Sequence, residues 1–286
     1  MNKYIAGAVI TLSLFIILFG KYQYDQKLSD ISTDAQAAVS SVENVPADAE
    51  ENEPAENENE TEEAGDEHLE GEEEELERHF EHMPEPLADV IKPKLAENET
   101  ISVLAFGSQS LTDSQDEGLN PWPELLEEEL NDAFDTDVFS VETMSVGGMT
   151  SLEMIQQGVH RDVAEKQADL VIIEPLLWND NGQVSIDHST EHVSLLIQAL
   201  KAENEQAVPM INPSQPAYNT VNYPIQIEGM RTYANENDYI YIDHWSDWPD
   251  ITDEDLLNYV DEDDHRMPAQ KGHEQWSKSI LSVFTD

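Results

Sequence analysis

Over residues 98–286, short apolar runs alternate with longer amphipathic segments. The apolar runs, which we predict to be strands, are ISVLAF (101–106), VFSVETM (138–144), DLVIIEPLL (169–177), AVPMIN (207–212) and YIYID (239–243). The amphipathic segments, which have the apolar spacing of helices, are 121–134, 150–166, 189–204, 225–237 and 272–284. Because strands alternate with helices, the pattern predicts an α/β domain with a parallel five-stranded sheet between two helical layers.

Residues 30–97 lack such a pattern. Between residues 43 and 85 there are 20 acidic residues and one arginine. A segment of this composition buries too little apolar area to offset the entropy of the chain, so we predict a disordered acidic linker. We interpret it as a spacer, with a tail that binds cations or a partner as the alternative. His68, His79 and His82 lie among these acids, but their spacing matches no defined metal motif.

The first 29 residues contain an uncharged, mostly apolar run of seventeen residues, from Tyr4 to Gly20. This length is at the short end for a membrane-spanning helix and exceeds most signal-peptide cores. No convincing cleavage site follows the run, so we predict an N-terminal anchor. The protein would then sit in the cell membrane as a single-pass protein, with its C-terminal domain outside the cytoplasm. The alternative is secretion after cleavage of a signal peptide.

Charge and composition exclude several functions. Lys and Arg total 13 against 62 Asp and Glu, a formal net charge of -49, so no basic surface is available for nucleic acid. The sequence has no cysteine, which excludes thiolate metal sites and cysteine nucleophiles. No histidine–carboxylate pair of the predicted domain has metal-ligand spacing, and we expect no metal and no cofactor.

Candidate chemistry lies in the loops after the strands, because parallel α/β sheets place functional residues at the carboxyl ends of their strands. These loops are GSQSLT (107–112), SVGGMTS (145–151), PLLWNDNG (175–182), NPSQPAYN (212–219), DHWSDWPD (243–250) and DEDDHRMPAQKGHEQW (261–276). They offer hydroxyls, a glycine pair, amides and a histidine among carboxylates. Acyl transfer needs this set of a nucleophile, oxyanion donors and a base.

Four of these loops resemble, in order, the motif blocks of the SGNH family of GDSL-type esterases and lipases. GSQSLT stands where the family has Gly-Asp-Ser-Leu, and VGGMTS stands at its second block, a glycine-containing turn. LLWNDN corresponds to Gly-x-Asn-Asp, and DDHRMPAQKGH to Asp-x-x-His-Pro-Asn. The resemblance covers roughly residues 100–286. It implies a flavodoxin-like three-layer fold and ester hydrolysis through a serine.

The resemblance also implies site residues. Ser110 matches the serine by its Ser-Leu-Thr context, whereas Ser108 lies closer to the end of the strand. Alignment on the glycine of the first block instead places Gln109 at the nucleophile position. The oxyanion donors would be the serine amide, Gly148 and Asn179. The alternatives are a polar turn without reactivity for the serines, a positive-φ turn for Gly148 and a helix cap or turn for Asn179.

The last block departs from the family pattern, because Met267 stands where the catalytic histidine belongs. Methionine cannot accept a proton, so we predict His265 as the base, with Asp264, or alternatively Asp261 or Glu262, as the acid that orients it. His244 is a second candidate. The alternative for His265 is a surface histidine in an acidic loop. His273 is assigned to the terminal helix.

These features predict an extracytoplasmic serine esterase that removes acyl groups, for example acetyl, from cell-envelope or extracellular polysaccharide. The expected partners are an acylated glycan or other small ester, and the cell membrane. Trp178, Trp245 and Trp248 form either a carbohydrate-stacking wall or, as is commoner for tryptophan, part of the core. The alternative function is a catalytically degenerate module that binds glycan or acts as an envelope scaffold, which the altered first and last blocks favour.

Overall fold

The structure, a computed structural model, describes residues 78–116, 118–262, 264 and 267–285. The predicted anchor at 1–29 and the acidic linker as far as residue 77 lie outside these residues, as does His265. No helix in the described part of the chain is both long and apolar enough to cross a membrane.

A five-stranded sheet forms the centre of the domain. Its strands are β1 (Ile101–Gly107), β2 (Phe139–Ser145), β3 (Leu170–Ile173), β4 (Val208–Ile211) and β5 (Ile240–Tyr241). All neighbouring strands are parallel, in the order β2-β1-β3-β4-β5. The predicted parallel sheet is therefore confirmed. Because the chain leaves β1 toward one edge and returns to β3 on its other side, the carboxyl ends of β1 and β3 flank the topological switch point, where such sheets bind ligands.

Besides a helical stretch at 78–82, nine helices accompany the sheet in the described residues. They are α1 (Glu85–Glu97), α2 (Asp113–Asp116), α3 (Trp122–Ala133), α4 (Ser151–Gln157), α5 (Val159–Ala164), α6 (Leu177–Asp180), α7 (Ile186–Glu203), α8 (Tyr223–Glu236) and α9 (Gln270–Thr285). Short 3-10 turns span Gln109–Leu111, His244–Asp247 and Glu254–Tyr259. The single helix predicted for 150–166 is in fact two, because Gly158 adopts a left-handed conformation (φ 81°) that ends α4.

Each face of the sheet carries its own apolar core. Along β1, Val103 and Ala105 face one core, whereas Leu104 and Phe106 face the other, as alternation along a strand requires. Helices α1, α3 and α9 contribute to the first core, and α4, α5, α7 and α8 contribute to the second. The predicted three-layer arrangement is confirmed.

Helix α1 corrects the predicted extent of the disordered linker, which was placed at 30–97. Leu87 and Ile91, one helical turn apart, are fully buried in the first core. Lys94 of the same helix reaches Asp169 at 2.7 Å. The apolar stripe of this helix is short and lies at the end of a very acidic stretch, so composition alone concealed it. The folded domain therefore begins upstream of residue 98.

Candidate active site

The first motif block forms a tight turn at the end of β1. Ser108 caps the 3-10 turn Gln109–Leu111, and its Oγ accepts the N–H of Ser110 at 3.3 Å. The two hydroxyl oxygens lie 3.0 Å apart, and both serines are buried. The turn therefore points both candidate nucleophiles into the protein, and not toward open solvent.

Both hydroxyls donate hydrogen bonds to the carboxylate of Glu174, the residue that directly follows β3. Ser108 donates its hydroxyl to Glu174 Oε1 at 2.8 Å and its backbone N–H to Oε2, also at 2.8 Å. Ser110 donates its hydroxyl to Oε2 at 3.1 Å. Ser214, in the loop after β4, donates a third hydroxyl to Oε1. Loops from three adjacent strands thus converge on one carboxylate at the carboxyl edge of the sheet.

Glu174 is enclosed, with 1% of its surface exposed. Burial raises the pKa of its carboxyl, and the hydrogen bonds from Ser214, Ser108 and Ser110 only partly oppose that rise. The glycine before the serines makes the close approach possible, because a Cβ on Gly107 would lie 2.4 Å from Glu174 Oε2. The site therefore depends on a glycine–glutamate contact between β1 and β3.

Gln109 points away from this carboxylate. Its Nε2 donates to Met267 Sδ at 3.5 Å, and its Oε1 lies 3.9 Å from where a Cβ of Gly148 would be. Gln109, which alignment on the first-block glycine places at the nucleophile position, thus touches Met267, which stands at the histidine position. They help to enclose a cavity of about 10 Å³, room for about one water, whose lining is Ser108, Gln109, Ser110, Trp178, Ser214, Gln215 and Met267.

The two predicted oxyanion donors lie beside each other but are engaged differently. Asn179 Nδ2 donates to the carbonyls of Gly147 and Met149, at 3.0 and 2.9 Å, so both amide hydrogens hold the second loop. The left-handed backbone of that loop is at Gly147 (φ 60°), and Gly148 needs no positive φ. Asn179 would have to exchange one of its bonds to hold an oxyanion, and the role of both residues stays a prediction.

The predicted histidine, His265, lies outside the described residues. Asp264 is placed in a turn, where its N–H binds Asp261 Oδ1 at 2.6 Å and its carbonyl accepts the N–H of Met267 at 2.8 Å. Its role as an orienting acid stays a prediction. Across the described ranges, no histidine hydrogen-bonds to Ser108 or Ser110.

The second candidate base, His244, is not brought to the serines. Its Nε2 donates to the carbonyl of Pro213 at 2.7 Å, and its ring stacks on Trp276 at 4.9 Å. Burial lowers its pKa to about 4. His273 belongs to α9, as expected, and its Nδ1 accepts the N–H of Trp122 at 3.2 Å. Both imidazoles are buried in the interior of the domain.

The three tryptophans divide between core and site. Trp248 is buried against the ring of Tyr259. Trp178 and Trp245 both pack against the ring of Tyr223, with ring centroids 4.9 and 5.5 Å from it, and both remain half-buried. Of the three, only Trp178 also lines the small cavity. Because Trp248 is buried in the core, the hypothesis of a three-tryptophan wall is wrong for this residue.

In the part of the chain that the structure describes, no group of three or more histidine, aspartate or glutamate side chains is arranged to hold a metal ion. A hydroxyl–carboxylate site of this kind can accept and return protons. Its chemistry is therefore that of a base beside potential oxygen nucleophiles.

Comparison with known proteins identifies the architecture. No protein-family model and no curated protein matches the sequence. Among solved structures, the acetyl xylan esterase AlAXEase matches 64% of this chain and 99% of its own, with 17% identity and a TM-score of 0.51. The chain has the fold of the SGNH hydrolases. A protein named as a lipolytic protein of the G-D-S-L family, from Desulfitobacterium hafniense DCB-2, also matches 64% of this chain and 99% of its own, at 19% identity and a TM-score of 0.50.

A further match shares this SGNH fold. A carbohydrate esterase family 3 protein from Talaromyces cellulolyticus matches 63% of this chain and 94% of its own, at 12% identity and a TM-score of 0.51. The fold predicted from the four motif blocks is therefore confirmed. The low identities leave the chemistry to be argued from the site itself.

Sequence reasoning missed Glu174 and Ser214. A signal for Glu174 was available, since an ionisable residue directly follows the apolar run LVII at a strand end. Such a position is buried and faces the switch point, where a carboxylate needs a specific reason. Ser214 carried no comparable signal, because only the fold brings the β4 loop to the β1 loop.

Proposed function

We propose that the domain hydrolyses ester bonds and removes acyl groups, such as acetyl, from polysaccharide of the cell envelope or its exterior. The observation that carries the proposal is the joining of Ser108 and Ser110 to Glu174 at the switch point of the sheet. A hydroxyl beside a proton acceptor is the core of serine-based acyl transfer. The shared fold with an acetyl xylan esterase and a carbohydrate esterase supports the choice of an acylated carbohydrate.

The proposed location rests on the N-terminal sequence. An apolar run of seventeen residues and a long acidic segment precede the domain. An anchor followed by a spacer suits an enzyme that works on polymers just outside the membrane. Envelope polysaccharide is the polymer class that such a position makes accessible.

We propose that substrate enters where Gln109 and Met267, which both line the small cavity, separate. Their amide–thioether contact, at 3.5 Å, is a weak hydrogen bond. Methionine is flexible and repacks at low energetic cost. Displacement of these two side chains would join the small cavity above Ser108 to solvent, and an ester carbonyl could then reach the hydroxyl.

Acetate release by the full chain in mild detergent tests the proposal, with acetylated xylan and p-nitrophenyl acetate as substrates. We expect release by the wild type and a loss of about 100-fold or more in the Ser108→Ala/Ser110→Ala double variant, because the nucleophile is gone. Ser140→Ala, an exposed serine on β2, is the matched control and should retain activity. No release by the folded wild type, or equal release by the double variant, would refute the proposal.

The second candidate function is a non-hydrolytic module that binds glycan or acts as a scaffold. The contact between Gln109 and Met267, at the positions aligned with the family's nucleophile and histidine, favours it. So does the use of both Asn179 amide hydrogens within the fold. This candidate predicts retention on acetylated xylan without acetate release, and equal retention of the Ser108→Ala/Ser110→Ala variant.

A further inference from the structure

We propose that Glu174 is the catalytic base of this site and takes the hydroxyl proton of Ser108, a role that SGNH hydrolases give to a histidine. The inference rests on the proposed esterase function. It identifies which of the two serines attacks and which group activates it.

The geometry distinguishes Ser108 from Ser110. Ser108 Oγ lies within hydrogen-bond distance of both carboxylate oxygens of Glu174, at 2.8 and 3.1 Å, whereas Ser110 Oγ reaches one. The backbone N–H of Ser110 also points at Ser108 Oγ, at 3.3 Å, and the Ser110 hydroxyl lies 3.0 Å from it. The Ser110 N–H would stabilise negative charge as it develops on the Ser108 oxygen.

The surroundings of Glu174 suit a base. A carboxylate in water is too weak a base for a serine, because its pKa lies far below neutral pH. Burial raises the pKa of Glu174, which brings its proton affinity closer to what general-base catalysis needs. Ser214 and the Ser108 N–H each bind a carboxylate oxygen, and so fix its orientation as the third member of a triad fixes an imidazole.

Among the described residues, Glu174 lies behind the hydroxyls that line the small cavity. Ser108, Ser110 and Ser214 line the small cavity, and the carboxylate lies behind them, almost entirely buried. A group in this position exchanges protons with a substrate through Ser108 or through a water in the cavity. It is thereby protected from bulk solvent, which keeps its raised proton affinity intact.

The reaction balances without any further group. The Ser108 proton moves to Glu174, the Oγ electron pair forms a bond to the acyl carbon, and the carbonyl π pair moves to its oxygen. Collapse of that intermediate breaks the bond to the sugar oxygen, which takes the proton from Glu174. Water then attacks the acyl-serine and gives a proton to Glu174. The acid departs, and the proton returns to Ser108.

The test is the rate at which a fluorophosphonate labels the folded full chain. We expect labelling of the wild type and at least about 100-fold slower labelling of Glu174→Gln, which is similar in shape but cannot accept the proton. Asp169→Asn is the matched control, because Asp169 also accepts the N–H and hydroxyl of a β1 serine, at the opposite edge of the sheet. Its labelling rate should equal that of the wild type.

The outcomes distinguish a failure of the proposed role of Glu174 from a failure of the esterase proposal on which it rests. Equal labelling of wild type and Glu174→Gln overturns the role of Glu174 and leaves the esterase proposal standing. A folded wild type without label overturns both. Should Glu174→Gln not fold, Ser214→Ala replaces it: loss of a hydrogen bond that lowers the Glu174 pKa should move the pH midpoint of labelling upward. An unmoved midpoint would overturn the inference.

Discussion

Two carboxylates at opposite ends of β3 are held by matching serines of β1. At the amino edge, Asp169 accepts the N–H of Ser102 at 2.8 Å and its hydroxyl at 2.7 Å. At the carboxyl edge, Glu174 accepts the N–H and hydroxyl of Ser108, both at 2.8 Å. The local chemistry is the same, because parallel pairing of β1 with β3 aligns both ends.

The two carboxyls nevertheless shift in opposite directions. Burial raises the pKa of Asp169, but hydrogen bonds from Lys94 and Ser102 and the lysine charge outweigh it and lower the pKa overall. Glu174 is more completely buried than Asp169. Among the described residues, its hydrogen-bond donors are hydroxyls and a backbone amide and not a cation, so its pKa rises. We therefore interpret the Ser102–Asp169 pair, which has a lysine beside it, as structural. The Ser108–Glu174 pair, which has no cation beside it among the described residues, is suited to proton transfer.

The largest predicted effect concerns α1, which carries Lys94 to the amino edge. Ile91→Ala should lower the free energy of unfolding by about 2–5 kcal/mol, because Ile91 is fully buried in the first core. Urea denaturation of the full chain measures the change. Ile225→Ala, on an exposed side chain of α8, should shift it by less than about 0.5 kcal/mol. Equal effects of the two substitutions would show that α1 does not belong to the folded domain.

Neutralising each carboxylate should affect the stability of the protein differently at the two sites. Asp169→Asn should cost about 1–3 kcal/mol of stability at pH 7, since it leaves Lys94 without its charged acceptor. Glu174→Gln should change stability by less than about 1 kcal/mol, because ionising this buried group already costs free energy. Denaturation curves at pH 7 measure both. A larger loss in Glu174→Gln would contradict the assigned difference.

The pH dependence of stability should have opposite signs at the two sites. Above its ordinary value of 4.5, folded Glu174 holds a proton that the unfolded chain has released, so wild-type stability should fall relative to Glu174→Gln as pH rises toward the raised pKa. Asp169, lowered from 3.8, contributes stability that is fully present above 3.8 and is lost as pH falls through its folded pKa. Denaturation of wild type and both variants at stepped pH separates the two contributions. Parallel profiles would contradict the account.

The smallest predicted effect is at Lys94 itself. Lys94→Met should raise the pKa of Asp169, whose burial is then opposed only by Ser102, and should cost about 1 kcal/mol. Carboxyl NMR titration measures the pKa. Lys92→Met on the exposed side of α1 should leave it unchanged. A constant Asp169 pKa in Lys94→Met would show that the cation does not cause the difference.

Much of the fold was predictable because it depends on patterns local to the chain. The strands at 101–106 and 207–212 and the motif loops at their ends follow from apolar runs and turn residues. Helix α1 was not predictable from composition, because its three buried residues lie at the end of an acidic region. The end of α4 at Gly158 depends on one backbone conformation that a helical pattern does not reveal.

The site was harder to predict than the fold. Alignment of the first block on its glycine placed Gln109 at the nucleophile position, and alignment of the last block placed Met267 at the histidine position; the contact between these two residues was not predicted. The three-hydroxyl shell of Glu174 was not predictable, since it joins loops that are 66 and 40 residues from it in the sequence. Long-range juxtaposition of this kind follows from sheet order, which residue patterns specify only in outline.

Peptide mapping of the fluorophosphonate adduct on the folded full chain tests the central claim most directly. The account predicts a covalent mass on Ser108, because this hydroxyl alone lies within hydrogen-bond distance of both oxygens of Glu174 among the described residues. A folded chain that carries no adduct, or an adduct only on Ser110 or on a serine outside the Glu174 cluster, would contradict it. The absence of any adduct would make the second candidate, a non-hydrolytic module, the better account of this SGNH fold.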